Sequence, residues 1–208
     1  MPDQPAAGKL LALTFDDGPN TETTVEILDI LEKYGAKASF FLIGQSINPQ
    51  TEPVIQRAYD MGCEIGNHSE SHSYLNELPA SAVEEEIGSV SRKIRAVTGE
   101  PPHFFRPPYL AVSETMYRCA GLPFIAGIGV DDYLDSVTAE ERYAGVMRQA
   151  ADGAIILMHD FWGNEQTVRA VERIVPDLQA AGFTLVTVSE LFRLKGAEPK
   201  PFTLYSGV

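Results

Sequence analysis

The chain has 208 residues, 44% of them hydrophobic and 22% charged, and a formal net charge of −13 at pH 7. This length is sufficient for one domain with a sizeable core, and no apolar run approaches the roughly 18 residues that cross a bilayer. So negative a charge speaks against nucleic acid or an anionic membrane as a partner. The two cysteines, Cys63 and Cys119, are too few for a disulfide scaffold and are not spaced as a zinc motif.

Short apolar segments alternate with helical patterns, which is typical of β–α units and a mostly parallel sheet. Residues 10–15 predict the first strand, and Thr23 and Glu26 have capping-box spacing at the start of a helix that ends at Gly35. Further strands are predicted over 37–44, 63–68, 103–109, 123–128, 154–160 and 183–188. Further helices are predicted over 52–62, 81–99, 139–151 and 166–181, where Ser81 and Glu84 again have capping-box spacing.

The ends of the chain are predicted to lie outside this series. Residues 1–9 lack the basic and apolar regions of a signal peptide and are expected to form a tail. No internal repeat or linker interrupts the following segments, so we expect a single domain over 10–194. Residues 195–208 contain Pro199 and Pro201 and are expected to form an irregular C-terminal tail.

Polar residues interrupt the apolar pattern where the predicted strands end. In parallel α/β folds these carboxyl ends share one face, and their loops carry the active site. We therefore expect the polar clusters to meet in space. The clusters are Asp16 and Asp17, His68 and His72, Arg106 to Tyr109, Asp131 and Asp132, and His159 and Asp160.

Each cluster also has a simpler interpretation. Asp16 and Asp17 could belong to a turn with an Asp cap, since Gly and Pro follow them. Arg106 could lie in a rigid extended segment, and His159 could be a core histidine. His103 has no comparable setting and is interpreted as structural.

The histidine pair carries the more specific signal. His68 and His72 are four residues apart, so on a helix or tight turn both imidazoles can face one divalent ion. With a carboxylate from another strand end, the set becomes two His and one Asp. That set suits Zn²⁺ or a neighbouring first-row metal and leaves positions free for water and substrate.

Five motifs in order give the chain a family resemblance from about Leu10 to Leu194. It resembles the polysaccharide deacetylases, the domain of carbohydrate esterase family 4. The matching segments are TFDDGP (14–19), HSESH (68–72), RPPY (106–109), VDDYLD (130–135) and LMH (157–159). The resemblance implies an α/β fold, a distorted and incomplete (β/α) barrel with about seven parallel strands. It also implies a metal-dependent enzyme that removes acetyl groups from an oligo- or polysaccharide.

The resemblance implies a role for each residue of the first two motifs. Asp17, His68 and His72 would hold one divalent metal ion, with zinc expected and cobalt, manganese or nickel as alternatives. Asp16 would stay off the metal and act as general base on a water that the metal activates. Arg106 would orient Asp16 and hold it ionised.

The remaining motifs imply the other catalytic roles. The backbone N–H of Tyr109 would meet the developing oxyanion, and His159 would be the general acid that protonates the leaving group. Asp132 would hold the imidazole of His159 charged and oriented. Leu157 would line the pocket for the acetyl methyl group.

The fourth motif departs from the family pattern, which usually has an Asp-Trp pair. Here Tyr133 follows Asp132 and would present the aromatic wall of the substrate groove, while Asp131 and Asp135 are alternative acidic candidates. Trp162, the only tryptophan, is expected to be a sugar-stacking residue at the rim or a packed side chain.

The overall pattern is most similar to the short acetyl xylan esterase members, which favours O-acetyl groups of xylan as the substrate. N-deacetylation of chitin oligomers or peptidoglycan is the alternative. A non-catalytic carbohydrate-binding module is a third hypothesis, although such a chain would be expected to lose the base or a metal ligand. The family is largely extracellular or at the cell surface, whereas the absence of an export signal leaves a cytoplasmic location open.

Overall fold

The first predicted strand forms the centre of a parallel sheet. The computed structural model describes residues 8–208, and strand Lys9–Asp16 pairs with three neighbours along its length. The six strands of this sheet are β1 (Lys9–Asp16), β2 (Ser39–Leu42), β3 (Glu64–Asn67), β5 (Ile128–Gly129), β6 (Ala154–His159) and β7 (Phe183–Leu185). Their order is β3-β2-β1-β6-β5, with β7 paired to the first residues of β1. Every pairing is parallel, so the carboxyl ends lie at one edge.

A second small sheet extends this arrangement towards a barrel. β4 (Phe124–Ile125) pairs in parallel with β8 (Leu204–Tyr205). Phe105 forms single parallel bridges to Asn67 at the end of β3 and to Phe124 in β4, and so connects the two sheets. The prediction of an α/β fold with an incomplete (β/α) barrel is therefore confirmed.

Seven α-helices surround the sheets in the described part of the chain. They are α1 (Thr23–Tyr34), α2 (Glu52–Asp60), α3 (Ala80–Thr98), α4 (Glu114–Cys119), α5 (Ala139–Gln149), α6 (Glu165–Ala180) and α7 (Val188–Lys195). Among the described residues, no helix has both the length and the apolar content that crossing a bilayer requires.

The main core lies between the central strands and the surrounding helices. Leu11, Leu13 and Phe15 of β1 are fully buried, together with Leu28 of α1 and Ile174 of α6. The intervening residues of β1 are buried as well, which explains why its sequence is continuously apolar. Its charged residues are the first, Lys9, and the last, Asp16, which lies at the edge that carries the site.

Both predicted capping boxes are wrong, although both helices are present. α1 begins at Thr23, and its first turn is held by Asn20, whose side-chain oxygen accepts the N–H groups of Glu22 and Thr24. Thr23 lies inside the helix and accepts a hydrogen bond from Gly163 instead. Ser81 likewise lies inside α3, which starts after the extended Pro79.

Two predicted strands differ from the observed elements. Residues 103–109 form no regular strand, because Pro107 and Pro108 have no N–H to donate to a ladder. Phe105 alone bridges, and Pro108–Leu110 forms a 3-10 turn. Residues 123–128 are divided into β4 and β5 by Gly127, whose φ of 85° interrupts the extended backbone.

The C-terminal region is more ordered than the sequence predicted. The predicted strand over 183–188 ends at Leu185, because Thr187 and Glu190 form a capping box that starts α7. The tail then returns to the sheet as β8. The predicted tail over residues 1–9 falls mostly outside the described residues, and Lys9 already belongs to β1. Cys63 and Cys119 are free thiols.

Candidate metal centre and active site

The two adjacent aspartates point into different surroundings because the strand ends between them. Asp16 is the last residue of β1 and is only 2% exposed. Asp17 has a φ of 76°, a left-handed conformation that removes it from the strand. Oδ1 of Asp17 is buried and has no hydrogen-bond partner among the described residues. A buried carboxylate oxygen without a partner is costly, so this atom requires a cation or water.

His68 and His72 present nitrogen atoms to the same oxygen. Nδ1 of His68 lies 2.7 Å from the carbonyl oxygen of Arg106, to which it donates, so its Nε2 carries the free lone pair. Nε2 of His68 lies 3.5 Å from Oδ1 of Asp17, and Nε2 of His72 lies 3.4 Å from it. The ligand atoms of the three residues all lie within 4.8 Å of one another.

The loop between the histidines is fixed to α3 rather than being helical. Ser69 and His72 both have positive φ values, 69° and 55°. Ser71 donates to Glu86 through both its backbone N–H and its hydroxyl, and Glu70 forms an ion pair with Lys93 at 2.6 Å. The middle residues of HSESH therefore hold the loop that aims the two imidazoles.

The donor set fits a divalent metal ion. Burial acts to raise the pKa of Asp17, but the neighbouring imidazoles, His68 foremost, lower it overall, so the carboxylate is ionised. Burial and the neighbouring His68 lower the pKa of His72, which keeps it neutral and able to ligate. Two imidazole nitrogens and one carboxylate oxygen without a hydrogen-bond partner form a donor set that suits Zn²⁺ or Co²⁺.

Arg106 is buried directly behind Asp16. Its Nη1 donates to Oδ1 of Asp16 at 2.5 Å, its Nη2 donates to Oγ1 of Thr14 at 2.8 Å, and its guanidinium lies over the ring of Phe41. Arg106 is fully buried. Oδ2 of Asp16 remains on the cavity side, 3.6 Å from Nε2 of His68. One oxygen of Asp16 is thus held by the arginine, and the other faces the metal ligands.

His159 is held from behind by Asp132. Its Nδ1 lies 2.7 Å from Oδ1 of Asp132, and its backbone N–H donates to Oδ2 of the same carboxylate at 2.7 Å. Burial acts to lower the pKa of His159, but the hydrogen bond and charge of Asp132, with the charges of Asp16 and Asp17, raise it to about 9. The imidazole is therefore protonated at neutral pH.

Most of the predicted site residues line one cavity of about 450 Å³. These are Asp16, Asp17, His68, His72, Tyr109, Tyr133, Leu157 and His159. Asp131 lines the same cavity, but Asp132, which is fully buried, is the residue that contacts His159. Asp135 is exposed and lines no part of this cavity. Trp162 lines an adjoining cavity that shares Asp17.

Aromatic side chains form one wall beside the metal ligands. Tyr109 is 54% exposed, and its ring stacks on Tyr74 with a centroid separation of 3.9 Å. The same ring meets the edge of His72 at 4.7 Å. Tyr133, which is 56% exposed, approaches the ring of His159. His103 lies away from this wall, beside Glu64 at the amino end of β3.

Several residues that support the site had no role in the sequence predictions. Asp160 is fully buried, and its carboxylate accepts hydrogen bonds from the N–H of Gly18 and the hydroxyl of Thr24. Burial raises the pKa of Asp160 to about 7. A Cβ on Gly18 would lie 2.5 Å from Oδ2 of Asp160, which explains the glycine in the first motif. The position of Asp160, directly after His159, was the available signal.

Arg142 of α5 supports Asp132 and His159 through intervening side chains. It is 2% exposed and donates to Oγ1 of Thr167 at 2.8 Å, while Thr167 donates to Oδ2 of Asp132 at 2.8 Å. Arg142 also donates to Asn164, which caps the carbonyl oxygen of His159. Nothing in the sequence marks this arginine as buried, since it follows two glutamates on an otherwise polar helix.

Comparisons with known proteins agree with this geometry. Residues 3–124 match the family described as "Polysaccharide deacetylase". The chain is 46% identical over 201 residues to a bifunctional xylanase/deacetylase of Pseudobutyrivibrio xylanivorans, covering 96% of the chain and 33% of that protein. The chain therefore spans about a third of that relative's length.

Two further relatives are matched along most of their own length. A family 4 acetyl xylan esterase from Clostridium thermocellum, solved in complex with a cobalt ion, superimposes with a TM-score of 0.93 at 40% identity, covering 96% of this chain and 99% of that one. A peptidoglycan-N-acetylglucosamine deacetylase of Bacillus cereus is 34% identical over 195 residues, with 90% of each chain covered. From the matched motifs, the fold and these relatives together, the chain belongs to the polysaccharide deacetylase family.

Proposed function

We propose that the protein is a metal-dependent hydrolase that removes O-acetyl groups from xylan or xylo-oligosaccharides. The observation that carries the proposal is the placement of two proton-transfer groups in the cavity that holds the ligand cluster. Asp16, held by Arg106, ends β1, and His159, held by Asp132, ends the neighbouring β6. The xylan assignment is supported by the relatives named for xylanase/deacetylase and acetyl xylan esterase activity.

Asp17, His68 and His72 would hold the metal, for which zinc is proposed and cobalt is the alternative that a related structure contains. When bound, the divalent ion supplies Lewis-acid chemistry, lowering the pKa of water and polarising a carbonyl oxygen. The buried Oδ1 of Asp17 would then have the partner that the described residues do not provide. The tautomer of His68, fixed by the Arg106 carbonyl, presents the correct nitrogen.

Asp16 would act as the general base. Its Oδ2 faces the cavity and accepts a proton from the attacking water, while its Oδ1 remains bound to Arg106. Because both groups are buried, the carboxylate cannot rotate away without breaking the pair.

His159 would act as the general acid. Its Nδ1 is held by Asp132, so its Nε2 is the nitrogen that donates a proton to the leaving sugar hydroxyl. A pKa of about 9 keeps this proton in place at neutral pH until the leaving group becomes strongly basic. Asp132 orients the imidazole through two hydrogen bonds and stabilises its charge.

The remaining lining residues have proposed roles in substrate binding. Leu157 is 7% exposed at the cavity surface and would contact the acetyl methyl group. The backbone N–H of Tyr109 would donate to the developing oxyanion, and its ring, with Tyr133, would contact the sugar. Tyr109 has a φ of 58°, a strained conformation for a residue with a side chain and one found at functional sites.

The experiment that tests the proposal is an acetate-release assay with the metal-reconstituted protein. Acetylated xylan, acetylated xylo-oligomers, chito-oligomers and peptidoglycan are compared at equal concentration. Turnover of the xylan substrates that requires added Zn²⁺ or Co²⁺ and is lost in Asp16→Asn supports the proposal. Turnover that survives both chelation and Asp16→Asn contradicts it.

N-deacetylation of peptidoglycan or chitin oligomers is the second candidate, and the Bacillus cereus relative favours it. Higher kcat/KM on chito-oligomers than on xylo-oligomers would support this candidate over the first. A non-catalytic binding module is disfavoured because the base, the acid and all three ligands are retained. Calorimetry that detects glycan binding in the presence of Zn²⁺, with no acetate released from any substrate, would establish that case.

A further inference from the structure

A second cavity continues from the metal ligands in one direction. It has a volume of about 380 Å³, within the range of small-molecule sites, and Asp17 belongs to both cavities. We name it the Trp162 groove. Its lining residues are Asp17, Pro19, Asn20, Thr21, Ser46, Asn48, Gln50, Thr51 and Trp162. The metal ligand Asp17 therefore lies between two cavities rather than at the end of one.

Trp162 is exposed although its loop is firmly held. Its side chain is 65% exposed, the largest value among the exposed large hydrophobic residues of the described chain. Of the two residues that follow it, Gly163 donates its N–H to Oγ1 of Thr23, and the buried Asn164 donates to the carbonyl oxygen of His159. An exposed indole on an ordered backbone has only two rotatable bonds to immobilise, so it is suited to bind the face of a ring.

The opposite wall offers polar groups on a similarly ordered loop. Oγ1 of Thr51 donates to the carbonyl oxygen of Ser46, and the N–H of Gln50 donates to the side chain of Asn48. The side chains of Thr21 and Gln50 are exposed at this wall. Neutral hydroxyl and amide groups opposite an aromatic ring match the hydroxyl groups and apolar faces of a pyranose.

The charge of the groove limits what it can bind. Apart from Asp17, which would be neutralised as a metal ligand, its lining contains no acidic or basic side chain. The neighbouring active-site cavity likewise has no lysine or arginine among its lining residues. The Trp162 groove itself therefore offers no cationic side chain to a carboxylate or phosphate of a ligand. With a chain charge of −13, the groove therefore disfavours anionic glycans.

We propose that the Trp162 groove binds an uncharged sugar unit next to the unit that loses its acetyl group. The glycan chain would then pass over Asp17, from the Tyr109 and Tyr133 wall to Trp162, and the enzyme would act on internal units of a neutral chain. This inference rests on the proposed function. The inference adds to the proposed function a second sugar-binding position and the expectation that the glycan is uncharged.

The single tryptophan allows a direct test of binding. Because Trp162 is the only tryptophan, the intrinsic fluorescence of the protein reports on this groove alone. The titrants are unacetylated xylobiose and xylohexaose, added to Asp16→Asn protein loaded with Zn²⁺, with calorimetry run in parallel. We expect xylohexaose to shift the emission to shorter wavelength at the concentrations at which calorimetry detects binding. Xylohexaose binding with unchanged emission would overturn the inference.

An activity comparison tests the contribution of the groove. The quantity is the ratio of kcat/KM on acetylated xylohexaose to kcat/KM on 4-nitrophenyl acetate, which is too small to reach Trp162. We expect Trp162→Ala to lower this ratio about tenfold, or about 1.4 kcal/mol, mainly through KM. Trp162→Phe should retain most of the ratio. Phe202→Ala is the matched control, because Phe202 is 55% exposed but lies beside Tyr117, in another cavity.

The outcomes separate this inference from the proposed function. No turnover of either ester by the metal-loaded protein would contradict the proposed function itself. Turnover of both esters with the same ratio in Trp162→Ala as in the native chain would contradict only the groove. A partly uronic, anionic xylo-oligomer provides the charge test. It should bind more weakly than the neutral chain of equal length, and equal affinity would overturn the expectation that the glycan is uncharged.

Discussion

Asp16 and Asp17 show how a single peptide bond can separate two chemical environments. Asp16 ends β1 with one oxygen on Arg106, whereas Asp17 leaves the strand with an unpaired oxygen near His68 and His72. The positive φ of Asp17 lets both carboxylates reach the same cavity, since an extended residue would have pointed to the opposite face of the sheet. The proposed function therefore assigns the same residue type as base in one position and as metal ligand in the next.

Substitution of each aspartate should affect a different measurement. Asp16→Asn removes the proton acceptor and should lower kcat by about 10²- to 10⁴-fold, with metal affinity little changed. Asp17→Asn removes the anionic ligand and should weaken Zn²⁺ binding by at least tenfold. Metal titration by calorimetry, together with kcat at saturating metal, distinguishes the two. Equal loss of metal from both variants would contradict the division of roles.

The pKa of His159 gives a second prediction at this scale. Asp132→Asn should lower this pKa below its value of about 9, because the carboxylate charge that outweighs burial is removed. NMR titration of the imidazole in the metal-free protein measures the change. The folded pKa is raised above its ordinary value of 6.5, so the stabilising contribution of His159 is complete below that pH. It is lost as the pH rises through about 9. Unfolding in urea across this pH range should show this loss of stability. A pKa of His159 that is unchanged in Asp132→Asn would contradict the proposed effect of Asp132.

At the scale of elements, helices α5 and α6 position His159, the proposed general acid, at the end of β6. Arg142 of α5 donates to Thr167 of α6, Thr167 donates to Asp132, and Asp132 holds His159. The hydroxyl of Thr167 is the only atom of that side chain that can both accept and donate. Two helices that never line the cavity thus determine the orientation of the imidazole.

Thr167→Val should interrupt this connection with almost no change in volume. The substitution leaves one hydrogen bond unmade on each side of the buried hydroxyl, so we expect a loss of about 1–3 kcal/mol in the free energy of unfolding. It should also lower kcat and shift the pKa of His159, which loss of stability alone would not do. Thr167→Ser restores the hydroxyl and serves as the control. A destabilised variant with a native pH profile would show a structural role only.

The elements were predicted unevenly from the sequence, for identifiable reasons. Strands with long apolar runs, such as β1 and β6, and helices ending in glycine were found within a few residues. The segment around Phe105 was wrong as a strand because it contributes only single bridges, and its adjacent prolines prevent a ladder. β8 was missed because two residues in a proline-containing tail carry no period; their strand conformation depends on β4.

The residues that line the site were more predictable from the sequence than the residues that hold them in place. Eight of the predicted site residues line one cavity, because the polar exceptions at parallel strand ends necessarily share an edge. Arg142 and Tyr74 were missed, since a buried arginine on a polar helix and a tyrosine on a loop have no distinguishing neighbours in sequence. Those contacts are formed between segments far apart in the chain, and only the fold brings them together.

At the scale of the whole molecule, metal binding should be coupled to folding. The three ligands come from the ends of β1 and β3, so they are adjacent only in the folded chain. A metal that binds the native state at about 1,000 times its Kd stabilises it by about 4 kcal/mol. Chelation should therefore abolish activity and lower Tm by about 10 °C. Scanning calorimetry with and without EDTA measures this, with His72→Ala as a variant that should no longer respond. A Tm indifferent to chelation would contradict the ligand assignment.

Arg106 makes one contact with the site through its side chain and another through its main chain, and a substitution removes only the first. Its side chain holds Asp16, but it is the carbonyl oxygen of its main chain that fixes the tautomer of His68. Every amino acid has that carbonyl. A substitution at position 106 can therefore remove the contact with Asp16, while the main-chain contact with His68 remains. His68, a proposed metal ligand, therefore keeps its hydrogen bond to residue 106 when the side chain at that position is substituted. This hydrogen bond would be lost through changes that move the backbone, such as insertions, deletions or a shift of the proline pair at 107–108.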